Sequence, residues 1–537
     1  MSKLLIFTLQ LLFMQVIMAT NKPAVKSGAG QLSNICSGLN YQIVVKVLPE
    51  NKSIVGSNQI SLYLTKPVNQ LTLDLFEQFT VHAIENNRQK ALNFQRKGKK
   101  ISINFSEPNK AGDTLTFTVY YSGTPIEAKK APWDGGFVWQ KDSLGNHWIG
   151  LACQGVGAAC WLPCFDNWSV EPTAVICLKV PSGYTGVSNG KLVNTYFNVN
   201  GYDEFIWQVL NPINVYNITL NIGKYTHLKD EYINEKNGIL PLDYYVLKYN
   251  AAKAGTHFQQ VKRMMQCFEQ WVGPYPFYED GYKLVETPYW GMEHQSCVSY
   301  GNNYEYNKFG FDFIIIHESA HEWFGNSLTA ADRADFWIHE SFTTYMETYF
   351  TECLWGRQRA NEYIATQKNY IRNRHPMIGK PGTNWHAPDN DVYYKGAWML
   401  HTLRNSINNE EKWRKIMFDF ATFFAKSTLT TNEVIAFFSK ATDTNLKPFF
   451  NAYLKHTQIP SLNYILKSKN GVTELHYKLV SPEKGLKMSI AVKMGKLGYD
   501  FIEATPSWQV IDIPFEDFKE FEIEPNFLVN LKQLNKR

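Results

Sequence analysis

His317, Glu318 and His321 stand in the order H-E-x-x-H within the stretch HESAHEWFGNSLT. Residues four apart on a helix project from one face, because about one turn separates them. The two imidazoles can therefore hold one Zn²⁺, leaving Glu318 beside the metal to take a proton from water. A third donor is needed, and Glu340 offers it nineteen positions after His321. It opens a second helix-compatible run with Ser341, Phe342, Tyr345, Met346 and Tyr349. The approach to the first histidine (Phe311, Phe313, Ile314, Ile315, Ile316) is apolar, so that helix is expected to be buried. Two unpaired imidazoles and a carboxylate in such a place would be costly unless a metal engages them.

The rest of the chain has to hold these donors in place. Its 537 residues exceed what one core serves, so about two to four domains are expected. An apolar content of 44% with 15% aromatics excludes a disordered chain. A net charge of +5 over this length makes no case for nucleic acid or for an anionic membrane surface.

From Leu39 to Tyr225 the pattern alternates with period two, as in Tyr41, Ile43, Val45, Val47 and in Leu115, Phe117, Val119. Asn189-Gly190 and Asn200-Gly201 mark turns between the runs. Residues 39–228 are thus expected to form an all-β N-terminal domain, with Gln154 to Pro172 as an ordered loop within it. A polar link is expected at Lys229 to Asn237, after which Phe258, Val261, Met264, Met265, Phe268 and Trp271 fall at helical spacing. Gly273-Pro274 ends that helix, and Thr430 to Glu433 has capping-box form. Residues 229–457 are expected to be a mostly helical catalytic domain. Beyond it strands return, with Asn470-Gly471 as a hairpin signal, so 458–537 reads as a small β-sandwich ending in a basic tail from Lys532. The fold class is multidomain α+β.

Residues 1–20 read as a signal peptide, with Lys3 ahead of the apolar run Leu4 to Met18, and 21–38 as a linker. No later segment is long and apolar enough to span a membrane. The mature protein is expected to be soluble and secreted or periplasmic. Eight cysteines are few for this length, and Cys153, Cys160, Cys164 and Cys177 cluster. An exported protein can pair some of these, with a connectivity that sequence does not define. They lack the C-x-x-C pair of a structural zinc site. Asn51, Asn104, Asn167 and Asn217 head N-x-S/T sequons.

The spacing of His317, His321 and Glu340, within HESAHEWFGNSLT and WIHESFTTY, resembles the gluzincin zinc aminopeptidases of the aminopeptidase N and leukotriene hydrolase type. Gly291-Met292-Glu293-His294 lies where that family carries its G-x-M-E-N exopeptidase motif, and Tyr393-Tyr394-Lys395-Gly396 where it has a tyrosine followed by x-K-G. The resemblance implies a thermolysin-like catalytic domain with one zinc ion on His317, His321 and Glu340. It makes Glu318 the general base and Tyr393 the donor to the oxyanion. Glu293, with Gly291, Met292 and Gln154, would bind the free amino group of a peptide substrate. His294 replaces the family asparagine, and Glu322 and His339 stand where the family more often has glutamine and asparagine. These two are expected either to support the zinc ligands or to lie on the surface. A large helical C-terminal domain, found in many relatives, is not expected. A thermolysin-like endopeptidase and a catalytically silent peptide-binding relative are the alternatives.

Overall fold

The computed structural model describes residues 32, 34–383, 385–469, 472–494, 498–513 and 521–534. The expected signal segment 1–20, the turn Asn470-Gly471 and the last three residues of the tail lie outside them.

Alternation builds the first domain. Tyr41, Ile43, Val45 and Val47 are buried while their neighbours are partly exposed, so one face of the strand Cys36–Leu48 packs inward. This strand begins inside the stretch expected as linker. It sits within a seven-stranded sheet, antiparallel to Ser53–Leu64 and parallel to Thr173–Pro181. A four-stranded sheet (Thr185–Val187, Asn221–Gly223, His147–Ala152, Gly136–Lys141) and a three-stranded one accompany it. Between Ala152 and Thr173 the chain leaves the sheets, with one 3-10 turn at Ala158–Cys160.

The polar stretch expected as a link is not one. Lys229 to Asn234 is part of the strand Tyr225–Asn234, which pairs with Gly238–Leu247 across a hairpin. Its charged side chains stand on a half-exposed strand, and polarity alone does not separate that from a linker. The two strands open a five-stranded sheet that continues through Tyr282–Glu286 and Val298–Tyr300 to Gly291–Met292 at its edge.

Helices follow. Gln260–Val272 buries Val261, Met264, Met265, Phe268 and Trp271 and ends at Gly273. Phe313–Ala320 is the short helix of the H-E-x-x-H motif, with the Asp312 side chain accepting from the Ile314 amide as its N-cap. Trp337–Gln367 carries Glu340 in its first turn and is broken at Gly356. Tyr394–Ile407 packs on it, and Gly396 sets the distance: a Cβ there would stand 1.7 Å from Ser341 Oγ, next to Glu340. The capping box at Thr430 and Glu433 is present.

After Leu454 the described residues hold strands and no further helix. They form a four-stranded sheet and a three-stranded one, and Ser461–Lys469 pairs with Val472–Val480 on either side of the Asn470-Gly471 turn. Among the described residues no helix is long and apolar enough to cross a membrane.

The one disulfide among the described residues joins Cys267 to Cys353, clamping Gln260–Val272 to Trp337–Gln367. The clustered cysteines stay free, although the Cys153 and Cys160 sulfurs lie 3.7 Å apart. A pairing across 86 residues has no local signature, so the sequence cluster pointed to the wrong cysteines. Of the sequons, Asn217 is fully buried and hydrogen-bonded, which leaves no room for a glycan. Alkylation of the denatured, unreduced protein is expected to label six of its eight cysteines and to spare Cys267 and Cys353, read by peptide mass spectrometry. Labelling of all eight would refute the clamp.

Candidate active site

The motif helix and the first turn of Trp337–Gln367 bring His317, His321 and Glu340 together. Glu340 Oε2 lies 3.5 Å from His317 Nε2 and 3.4 Å from His321 Nε2. Tetrahedral zinc, with bonds of about 2.0–2.1 Å, sets its ligand atoms about 3.3–3.4 Å apart. Each imidazole is turned to leave Nε2 free. His317 Nδ1 donates to Glu347 Oε1 at 2.7 Å, and His321 Nδ1 to the Phe324 carbonyl at 2.9 Å. Glu340 Oε2 is buried without a hydrogen-bond partner. Burial pushes the Glu340 carboxyl upward, yet the His321 and His317 imidazoles hold it down at about 2. Three donor atoms thus converge at a spacing that fits a divalent cation of zinc type.

Glu347 was not singled out in the sequence, though it lies seven residues after Glu340 on the same helix face. Its other oxygen accepts from Tyr363 at 2.5 Å and Gln367 at 2.9 Å. On a straight helix Tyr363 would stand about 24 Å further along the axis. The break at Gly356, with φ of 82°, lets the chain return.

Glu318 faces the same space. Its ligand oxygen, one of Glu293 and a nitrogen of His321 lie within 4.8 Å of one another. Burial pushes Glu318 up to about 7, against the pull of both histidines. The strand Gly291–Met292 runs beside it, because a Cβ on Gly291 would stand 2.7 Å from Glu318 Oε1. Met292 is buried in register with Ser299.

Glu293 is buried and held from the β-domain: Gln154 Nε2 donates to its Oε1, and so does the Tyr216 hydroxyl at 3.2 Å. Burial raises its pKa above the ordinary glutamate value. Asn326 fixes the Glu293 carbonyl at 2.8 Å and itself accepts from Asn217 at 2.7 Å. Tyr216 and Asn326 were missed, because nothing near them in sequence points to Glu293. Tyr393 stands just ahead of Tyr394–Ile407, half-buried, with its ring 6.0 Å from the His317 ring. Ser341 Oγ donates to the Val392 carbonyl at 2.7 Å, tying this turn to the residue after Glu340.

Three readings need correction. Glu322 and His339 are fully buried, not surface residues, and neither bonds a zinc-type ligand. Glu322 accepts from the Ser296 amide at 2.7 Å and from Asn326, and burial pushes it up to about 8. His339 stacks on Trp168 at 5.0 Å and accepts the Ala330 amide at 2.8 Å. His294 faces inward to Ser299 Oγ at 3.1 Å, and burial lowers its pKa to about 3, so its ring is neutral. Counting back in G-x-M-E-N, the glycine place falls on Trp290, and Gly291 occupies the variable one.

The description of the Peptidase M1 N-terminal domain matches residues 37–216, and that of the Peptidase family M1 domain residues 258–453. Among curated proteins, aminopeptidase B of Mus musculus is 22% identical over 370 residues, covering 64% of this chain and 53% of that one. Leucyl aminopeptidase of Saccharolobus solfataricus is 21% identical over 391 residues, covering 68% and 48%. The chain therefore spans about half the length of the curated relatives it matches. Among solved structures, an M1 zinc metallopeptidase variant from Deinococcus radiodurans, bound to a Tyr-Ser-Ala substrate, superposes with a TM-score of 0.68 at 19% identity. That match covers 79% of this chain and 96% of the other, and it shows a shared fold.

Replacing Glu347 by alanine frees the His317 ring to turn and to change tautomer. Zinc affinity is expected to fall by about 10- to 100-fold, measured by competition with a chelating dye. An affinity equal to wild type would remove Glu347 from the support of the site.

Proposed function

The chain belongs to peptidase family M1, and on that premise we propose that it is a zinc aminopeptidase, releasing the first residue of peptides with a free N-terminus. The observation that carries the reading is the placement of Glu293. A buried carboxylate, gripped by Gln154 and Tyr216, lies within 4.8 Å of Glu318 and His321. It can receive a charge-assisted hydrogen bond from a substrate ammonium, and it closes the space where further upstream residues would run.

His317, His321 and Glu340 would hold one zinc ion. Zinc bound there supplies Lewis acidity, polarising the scissile carbonyl and lowering the pKa of water towards neutrality. Glu318, pushed by burial to about 7, takes the proton of the attacking water and returns it to the leaving amine. Gly291 and Met292, the edge strand of the sheet, line the path of the substrate backbone. The Tyr393 phenol donates to the oxyanion, an interaction worth about 2–4 kcal/mol in the transition state. Residues 458–537 read as a β-sandwich module, supported by the buried Leu475, Tyr477 and Leu479 of one sheet and Met488, Ile490 and Val492 of the other.

The test is hydrolysis of free-amine and N-acetylated peptides by protein with zinc content measured by elemental analysis. Free-amine peptides are expected to be cleaved and acetylated ones spared. Glu318→Gln is expected to lower kcat by about 10²- to 10⁴-fold. Glu293→Ala is expected to raise KM and to erode the preference for a free amine. Equal cleavage of both peptide types would favour an endopeptidase. No cleavage, with one equivalent of zinc bound, would favour a peptide-binding relative.

Export is proposed as well, supported by the apolar run Leu4 to Met18 and by the Cys267–Cys353 disulfide, a bond that persists in oxidising compartments. N-terminal sequencing of the protein in its source cells is expected to start past residue 20. A chain that keeps Met1 would sink the export reading.

A further inference from the structure

The motif helix gives the site a direction. Glu293 lies at its His321 end, where the substrate amine is placed. At the opposite end, one turn before His317, stands Phe313, its ring 5.3 Å from the His317 ring. Trp290 packs on Phe313 at 5.7 Å, and Trp133 on Trp290 at 6.2 Å. His321 and Phe313 are separated by about 12 Å along the helix axis, a distance that about three extended residues span. A peptide anchored at Glu293 and cleaved between the histidines therefore passes these rings with its second and third residues.

Both indoles are far more open than core tryptophans, Trp133 at 57% and Trp290 at 44% exposure. They are nonetheless held in place. Trp290 Nε1 donates to Asn302 Oδ1 at 3.0 Å, and Asn302 donates at 2.9 Å to Asp312, the cap of the motif helix. Trp133 comes from the β-domain, and its carbonyl abuts Gly155, next to Gln154. Trp290 occupies the glycine place of the motif that this stretch resembles.

We propose that Trp290 and Trp133, with Phe313 beneath them, form a subsite for an aromatic side chain at the second or third residue of the substrate. The proposal rests on the aminopeptidase reading. A ring entering there meets faces and edges already fixed, so stacking is gained with little loss of side-chain freedom.

The experiment compares tetrapeptides that share a first residue and carry phenylalanine or alanine at positions two and three. In the wild type the phenylalanine peptides are expected to have about tenfold higher kcat/KM. In Trp290→Gly, and separately in Trp133→Ala, the ratio is expected to fall towards one. A ratio near one in the wild type, or an undiminished ratio in both variants, overturns the subsite. If no free-amine peptide is cleaved at all, the aminopeptidase reading fails instead. Calorimetric binding of the same peptides to the zinc-loaded protein then still decides: tighter binding of the phenylalanine peptide, lost in Trp290→Gly, supports the subsite, and equal binding overturns it.

Discussion

Glu293, Glu318 and Glu340 share one buried space with His317 and His321, and the electrostatics of that group is the constraint that the surrounding structure answers. Carboxylates out of water and close together are driven towards protonation. Here the outcome is uneven, with Glu318 near 7 and Glu340 near 2, because only Glu340 is flanked by both imidazoles at about hydrogen-bond range. The outer atoms of those imidazoles are tied to Glu347 and to the Phe324 carbonyl, so their inner nitrogens face Glu340. Such a cluster is stable when a cation completes it, and the rest of the catalytic domain keeps its atoms from finding other partners.

That requirement explains packing features some distance away. Gly396 and Gly291 are places where a methyl group would push a helix off Ser341 or a strand off Glu318. The return of the chain after Gly356 brings Tyr363 and Gln367 to Glu347, which in turn sets the His317 ring. The Cys267–Cys353 bond joins the two helices that carry this load from outside.

The two domains meet at Glu293. Gln154 and Tyr216 reach it from the β-domain, while Asn217 reaches Asn326 beneath the same loop. Behind the loop, Glu322 accepts from Ser296, Ser296 accepts from the Gly190 amide, and Lys283 donates to the Gly190 carbonyl. The residues that depart from the related motif, His294 and Glu322, belong to this buried seam. The Glu293 carboxylate is thus held from the domain interface, which Trp133 and Trp290 extend towards Phe313 of the motif helix.

The sequence by itself determined the parts governed by local periodicity and fixed spacing. Period-two runs placed the strands, and H-E-x-x-H placed two imidazoles on one helix face, because both follow from geometry within one or two turns of chain. Glu340 as a third donor was legible too, since it stands in the first turn of a helix of its own. Contacts between segments far apart in the chain were decided only by the tertiary structure. The disulfide fell on Cys267 and Cys353 because their two helices pack together, whereas the cysteines clustered in sequence stayed free. Tyr216, Asn326 and the Tyr363–Glu347 contact likewise depend on how domains dock and where a helix breaks. Lys229 to Asn234 became strand because Gly238–Leu247 offered it a partner, and a half-exposed polar strand carries no signal that separates it from a linker. Burial of Glu322 and His339 has the same origin, since a charged or polar residue reads as exposed until its partners across the fold are in place.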